Sequence, residues 1–513
     1  MYSEWVSLRQ TVEGDQTNRS VLNNFPPTVG RDVARSVLNN LVQEGIADYR
    51  MLPTAKEIDW AMEVICYGMT LAMTDDNDGE IIKVCVNTYL EWLSILTSPK
   101  KGIPAALIQD SDKYAQKMLQ HFQNLFLPRE GGNLALQASL CVKVLQALQS
   151  AASSPTVNMS SQTWESLLHF LLVINNKLLS PPYLPGSLTE YLGDRLISVL
   201  LEVWLHACKY FFPTPSEWKT LQELCMCWRH HSSMINYWSR TSLILTRKVI
   251  HYMYGPTFPV FSLASGKGDV KVPDDFDDNT LIQSWFRILH VIGNPVELCN
   301  RTIISDTRPF KEFALVCEEV VSPSTHPCLD CLPDIFLQAM KGIAVFVNSF
   351  LGVMTTHEEP VKHTPIPAPI KSPSPASSKK REMKTLSVGA SLSSTSGLSS
   401  RAKTMPSRHS SCSIVSETHD IVKERARAAS ALQGSPFDMN AFGPSVVMPT
   451  VDSLLHLFGA WLFEASLAKV NMKASAEDVG KVYSNFCNIT MPAKEQRYRN
   501  TSVNVDFHYH NLY

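Results

Sequence analysis

Three residues near the end of the helical part, His326, Cys328 and Cys331, come closest to metal chemistry, since a Cys-x-x-Cys pair beside an imidazole offers zinc-type donors. A closed zinc site takes four ligands, and no second Cys-x-x-Cys or His-x-x-x-His lies nearby. Cys299 and Cys317 match no known ligand spacing, so the trio reads as a helix-entry loop with a buried thiol. Cys225-Met226-Cys227 is a weaker pair, and His230-His231 beside it reads as the polar end of a helix. The run Asp76-Asn77-Asp78-Gly79 resembles the middle of a calcium loop, but that register puts Thr74 at the first ligand position and Cys85 at the last, where a bidentate glutamate is needed. It reads as an acidic turn between helices. Gly266-Lys267-Gly268 lacks the spacing of a phosphate loop and reads as a flexible connection. No nucleophile, base and acid can be placed together, so no catalytic, cofactor-binding or metal-binding residue is assigned.

Modification chemistry is better supported. Arg425-Ala426-Arg427-Ala428-Ala429-Ser430 has the Arg-x-Arg-x-x-Ser pattern gripped by the acidic pockets of basophilic kinases. Arg408-His409-Ser410-Ser411 is a poorer version. Ser430 and Ser411 are therefore candidate phosphorylation sites, where phosphate would add nearly two negative charges and strong acceptor oxygens. Pro365 to Pro375 offers only Pro-x-x-Pro spacing for an SH3-type groove.

The elements that must carry these residues are helices. The central one runs from Gly186 to Pro213. Ser187 and Glu190 form a capping box at its start, and Pro213 closes it. Arg195, Ser198, Glu202, His206 and Lys209 recur at steps of three or four, a single wet stripe on a helix otherwise covered by neighbours. Trp204 lies on the covered side. Two further capping boxes, Thr54 with Glu57 and Thr214 with Glu217, open other helices, the second with Pro215 at its first position. Apolar periodicity predicts helices over Arg31–Gln43, Thr54–Met69, Ile81–Leu96, Tyr114–Leu127, Leu134–Leu148, Trp164–Leu179, Ile235–Tyr254, Leu281–Ile292 and Pro333–Val353. Alternating strands are nearly absent. Such helices, joined by short turns, imply an all-α fold: an irregular HEAT/armadillo-like α-solenoid over residues 1–356, with degenerate repeats.

Composition changes beyond that point. Residues 372–416 hold 16 serines in 45 positions, and such a stretch cannot bury enough apolar surface to offset its ordering entropy. Residues 357–449 read as a disordered linker. Helical pattern resumes at 450–487 (Leu454, Leu455, Phe458, Trp461, Leu462, Ala465), the start of a second helical domain. Residues 488–513 read as an irregular tail. Over all 513 residues the formal net charge is −2, which marks no nucleic-acid binder. No apolar run is long enough for membrane insertion, no signal peptide is visible, and single cysteines on apolar helix faces (Cys66, Cys85, Cys141, Cys208) imply reduced thiols and a cytoplasmic protein.

Several ordered blocks resemble one family. Met1-Tyr2-Ser3-Glu4-Trp5, Val29-Gly30-Arg31-Asp32-Val33-Ala34, the block from Ala61 to Gly68, and Gln123-Asn124-Leu125-Phe126 are followed by Phe212-Pro213-Thr214-Pro215 and Trp228-Arg229-His230-His231. Tyr254-Gly255-Pro256-Thr257-Phe258-Pro259, Gln283-Ser284-Trp285-Phe286-Arg287 and the block from Leu457 to Phe463 complete the series. Together they are similar to the beta-subunit family of the Ral GTPase-activating complexes, related to the tuberin-type assemblies. The resemblance implies a large helical scaffold that pairs with a catalytic alpha subunit and acts on Ral-type small GTPases indirectly. It implies a GTPase-activating domain with a catalytic asparagine at the far C-terminus of a much longer chain. Nothing in this sequence matches that motif, and the pattern departs from the family after about Phe486, as a truncated or spliced product would. The expectation is a non-catalytic scaffold or regulatory subunit, with a kinase acting at the linker. An unrelated helical-repeat adaptor for trafficking or signalling is the alternative.

Overall fold

The computed structural model describes residues 5–14, 19–43, 46–47, 52–74, 76–129, 131–255, 270–314 and 322–351. The linker expected at 357–449, with Ser411 and Ser430, the helical segment expected at 450–487, the tail at 488–513 and the loop at Gly266-Lys267-Gly268 lie outside the described residues.

The described residues are helical almost throughout, as the periodicity implies. Helices α1 (Arg9–Glu13) and α2 (Pro27–Leu41) come first, followed by a two-residue antiparallel pair, β1 (Val42–Gln43) and β2 (Ile46–Ala47), in the register Val42 to Ala47. Then come α3 (Ala55–Gly68), α4 (Asp76–Trp92), α5 (Ala105–Gln109), α6 (Ser111–Phe122), α7 (Leu134–Ala152), α8 (Ser161–Leu179) and α9 (Leu188–Tyr210). The series ends with α10 (Pro215–Cys227), α11 (Ser232–Tyr254), α12 (Asp278–Leu289), α13 (Thr302–Ser305), α14 (Arg308–Ala314) and α15 (Leu332–Leu351). Successive helices pack on one another in the manner of an irregular solenoid: α2 on α3, α8 on α9, α9 on α11, α11 on α12 and α15. The short α1 returns to cover α8 and α10. No helix among the described residues is long and apolar enough to cross a membrane.

Thr54 and Thr214 cap as their boxes predict: each hydroxyl accepts the N–H of the glutamate three residues on, and each glutamate accepts the threonine's own N–H. Ser187 does not. Its hydroxyl makes no cap bond, and Glu190 instead accepts the N–H of Gly186 at 2.6 Å. The sequence pattern is the same, but at α9 the carboxylate reaches the glycine before the cap residue. Two glycines mark close helix approach. A Cβ at Gly30 would lie 2.4 Å from the Tyr67 ring, whose hydroxyl donates to the Pro27 carbonyl. A Cβ at Gly68 would strike the Cys85 sulfur.

Helix α9 is enclosed by α7, α8, α11 and α12. Leu196, Ile197, Val203, Trp204 and Leu205 have no exposed surface, and Trp204 packs edge-on against Trp218 at 5.4 Å. The expected wet stripe is a correction. Ser198, Glu202 and His206 are buried, and only Arg195 and Lys209 at its ends reach solvent. Arg195 is covered towards α7, where it donates to Gln149, the Ser198 hydroxyl donates to the Arg195 carbonyl, and Glu202 and Lys209 are met by Lys271 and Asp275, which precede α12.

Candidate functional site

Polar groups gather at two places beside α9. The first is the junction where the α8–α9 connection meets the α10–α11 turn. The tight Trp228–His231 turn aims three side chains back at α8. The Trp228 indole N–H donates to Ser180 Oγ at 3.0 Å and Asn176 Oδ1 at 3.3 Å. The Nε2 of His230 meets the Pro181 carbonyl at 3.0 Å, and that of His231 meets the Leu179 carbonyl at 3.0 Å. A carbonyl only accepts, so both Nε2 atoms carry their proton. The two rings lie 4.2 Å apart. Burial holds His231 down at about 4 and His230 well below the ordinary histidine range. The pair does stand at a helix end, His231 being the cap residue of α11, but that end is buried, with loop carbonyls closing over it. Arg229 is fully buried, its Nε donating to the Met226 carbonyl, and burial lowers it to about 10.

His326, Cys328 and Cys331 sit beside this junction without forming a donor set. His326 Nδ1 accepts the Cys328 N–H at 3.2 Å, capping the turn that enters α15. Cys331 donates to the carbonyls of His230 and Cys328, and burial raises Cys328 to about 12 and Cys331 to about 11. Such thiols stay protonated at neutral pH, which disfavours a nucleophilic role. Among the described residues no three His, Cys, Asp or Glu side chains are grouped to hold a metal ion. Asp76–Gly79 is the first turn of α4, not an interhelical turn, and Asp78 is buried against Arg31 of α2 at 3.1 Å. A helix start satisfies that carboxylate better than a loop could, since Arg31 and the first-turn dipole both favour it.

Many of the family-like blocks converge in this core. Arg287 stacks over the rings of Trp5 (5.2 Å), Phe212 (4.9 Å) and Trp218 (5.5 Å). Phe212 adopts φ +50°, rare for a side chain of its size, and this turns the chain from α9 into Pro213 while holding its ring on Arg287. The Trp285 indole donates to Thr246 Oγ1, and that of Trp238 to the Ile288 carbonyl. These residues fasten helices together. The nine described cysteines all carry free thiols.

The second polar place is the strip over α9. Residues 270–275 run across α9 and α11 as a strap, without helix, bend or turn to Pro273 and then turning at Asp274 and Asp275, with Val270, Val272 and Pro273 buried and Lys271 exposed. The Lys271 N–H donates to Glu202 at 3.0 Å. Asp275 pairs with Lys209 of α9 at 2.5 Å, and Asp274 with Lys248 of α11 at 2.8 Å. Reasoning from sequence missed this strap. Its signal was the Val-x-Val alternation ahead of Pro273-Asp274-Asp275, too short to register as a strand.

The family model described as the RALGAPB N-terminal domain matches residues 133–256, the stretch from just before α7 to the end of α11. Ral GTPase-activating protein subunit beta of Mus musculus is 36% identical over 503 residues, covering 96% of this chain and 32% of the relative. The same subunit of Homo sapiens is 38% identical over 475 residues, 91% of this chain and 30% of the relative. A Rap-GAP domain-containing protein of Dictyostelium discoideum is 28% identical over 169 residues, 33% of this chain and 10% of that protein. The chain spans about a third of the length of the beta subunits it matches. No solved structure matches it. Over nearly its whole length the chain is a homologue of the beta subunit of Ral GTPase-activating proteins.

Proposed function

We propose that the chain is a non-catalytic scaffold or regulatory part of a heteromeric GTPase-activating complex, pairing with a catalytic alpha subunit that acts on Ral-type small GTPases. The observation that carries this reading is the similarity, over 96% of the chain, to proteins named as the beta subunit of that activator. The chemistry of the described residues supports it. The buried histidines of the junction are held neutral and its neighbouring thiols protonated, so the polar groups serve packing. Speeding GTP hydrolysis takes a residue placed in the nucleotide site, worth about 10³–10⁵ in rate when it offsets transition-state charge. A helical stack whose polar groups face one another offers surfaces for a partner instead.

The chain alone should leave Ral-bound GTP hydrolysing at its intrinsic rate, while a tagged chain should retain a catalytic alpha subunit. Stimulation of tenfold or more by the purified chain would overturn the scaffold reading. The free thiols of Cys66, Cys85, Cys141 and Cys208 support a reducing, cytoplasmic setting. The Arg-x-Arg-x-x-Ser pattern supports a basophilic kinase acting at Ser430, with Ser411 as the weaker site. Phosphopeptide mapping of the chain isolated from cells tests both.

A further inference from the structure

The strap at residues 270–275 resembles a bound ligand more than a loop. Over residues 270–273 it has no helix, bend or turn, and it buries Val270, Val272 and Pro273 with Lys271 exposed between the valines. It gives a backbone N–H to Glu202 beneath it, and it turns at Asp274 and Asp275, whose carboxylates are met by lysines. Helical-repeat surfaces hold extended peptides through such backbone and charge contacts. We propose that the groove between α9 and α11 is a binding groove for an extended acidic segment of a partner protein, filled in this structure by the chain's own strap.

Two features make the strap a replaceable occupant. Its hold at the acidic end is open to water: the Asp274 side chain is fully exposed and that of Asp275 is 69% exposed, so these pairs are screened by salt. Beneath it His206 is buried and its Nε2 has no hydrogen-bond partner. An unpartnered buried nitrogen is unfavourable, so a segment offering His206 a donor or acceptor gains what the strap leaves unmade. The ligand class follows from the occupant: two aliphatic side chains buried at alternate positions, then a buried proline and two carboxylates for Lys209 and Lys248. A polar group within reach of His206 would distinguish a partner's segment from the strap. None of this chemistry depends on a GTPase-activating role.

The probe is a fluorescein-labelled synthetic peptide of the strap's own sequence, Val270 to Phe276, titrated against the full chain by anisotropy. Wild type should bind it weakly, because the groove is filled. The V272S/D274A/D275A chain, whose strap has lost one aliphatic contact and both ion pairs, should bind at least about tenfold tighter. Adding K209E/K248E should abolish that gain. Equal binding by wild type and the loosened chain, at unchanged helical circular dichroism, overturns the proposal, as does indifference to the charge reversal. If the loosened chain loses helicity, hydrogen exchange of the wild type decides: saturating peptide should speed exchange at the Lys271 amide, and unchanged exchange overturns the proposal.

Discussion

The α10–α11 junction packs polar groups against the end of α8, and the strap packs them across α9 and α11, yet the two are held in different ways. At the junction, two imidazoles and an indole give their protons to carbonyls and a hydroxyl in a largely buried site, so the contacts are short, neutral and mostly dry. At the strap, the first end is held by buried Val270, Val272 and Pro273 and by a buried carboxylate that takes a backbone N–H, while the acidic end is held by two ion pairs facing water. A neutral hydrogen bond in a dry site is costly to break because the group left behind cannot be resolvated. An exposed ion pair costs little to break, since water and salt replace each partner. Burial alone therefore does not separate a fixed joint from an exchangeable one. The exposure of the charged ends does.

The largest effect should come from the dry side. Trp204→Ala removes a fully buried indole packed edge-on to Trp218, and should cost about 3–5 kcal/mol by denaturant unfolding. A loss near 1 kcal/mol would mean the stack relaxes around the gap, and that α9 is no firmer on its dry side than beneath the strap.

Acid should weaken the junction next. Because burial depresses His231 from 6.5 to about 4, the unfolded chain takes up its proton first as pH falls. The contribution is whole above about pH 6.5 and lost progressively towards pH 4, about 3 kcal/mol for this residue alone. His230, and His121 at about 3 on the Tyr89 hydroxyl, act in the same direction, as does the buried His206. Urea midpoints at pH 7 and pH 4.5 measure the loss, and His231→Gln should reduce it. An unchanged slope in that variant would place the acid sensitivity elsewhere.

Much of this arrangement was legible in the residues. Helix positions, the boxes at Thr54 and Thr214 and the burial of Trp204 follow from periodicity and capping chemistry, which act within one turn. The wet stripe was misread because Glu202 is met by the Lys271 N–H, nearly 70 positions away, and spacing within α9 carries no trace of that cover. The cover over the helix end at His230-His231 was hidden for the same reason, since the carbonyls of Leu179 and Pro181 arrive from another loop. Local rules find elements. They do not find what crosses over them.

On the wet side, Lys209→Ala and Lys248→Ala should each cost only about 0–1 kcal/mol at low salt, and less still above about 0.5 M salt. A salt-independent loss above about 2 kcal/mol at either lysine would make the strap as fixed as the junction and erase the distinction between them.

The smallest effect should be at Ser187, and it tests what holds the junction end of α9. A serine that caps through its hydroxyl costs about 1 kcal/mol when replaced by alanine. Here that hydroxyl makes no cap bond, and Glu190 holds the Gly186 N–H instead. Ser187→Ala should therefore change stability by only a few tenths of a kcal/mol, whereas Thr214→Ala, at a cap that does accept its N–H, should cost about 1 kcal/mol. Thermal melts of the two variants side by side read the difference. A Ser187→Ala loss equal to that at Thr214 would mean that the hydroxyl caps after all. The start of α9 would then rest on its own local bonds and not on the rings and carbonyls of the junction that meets it.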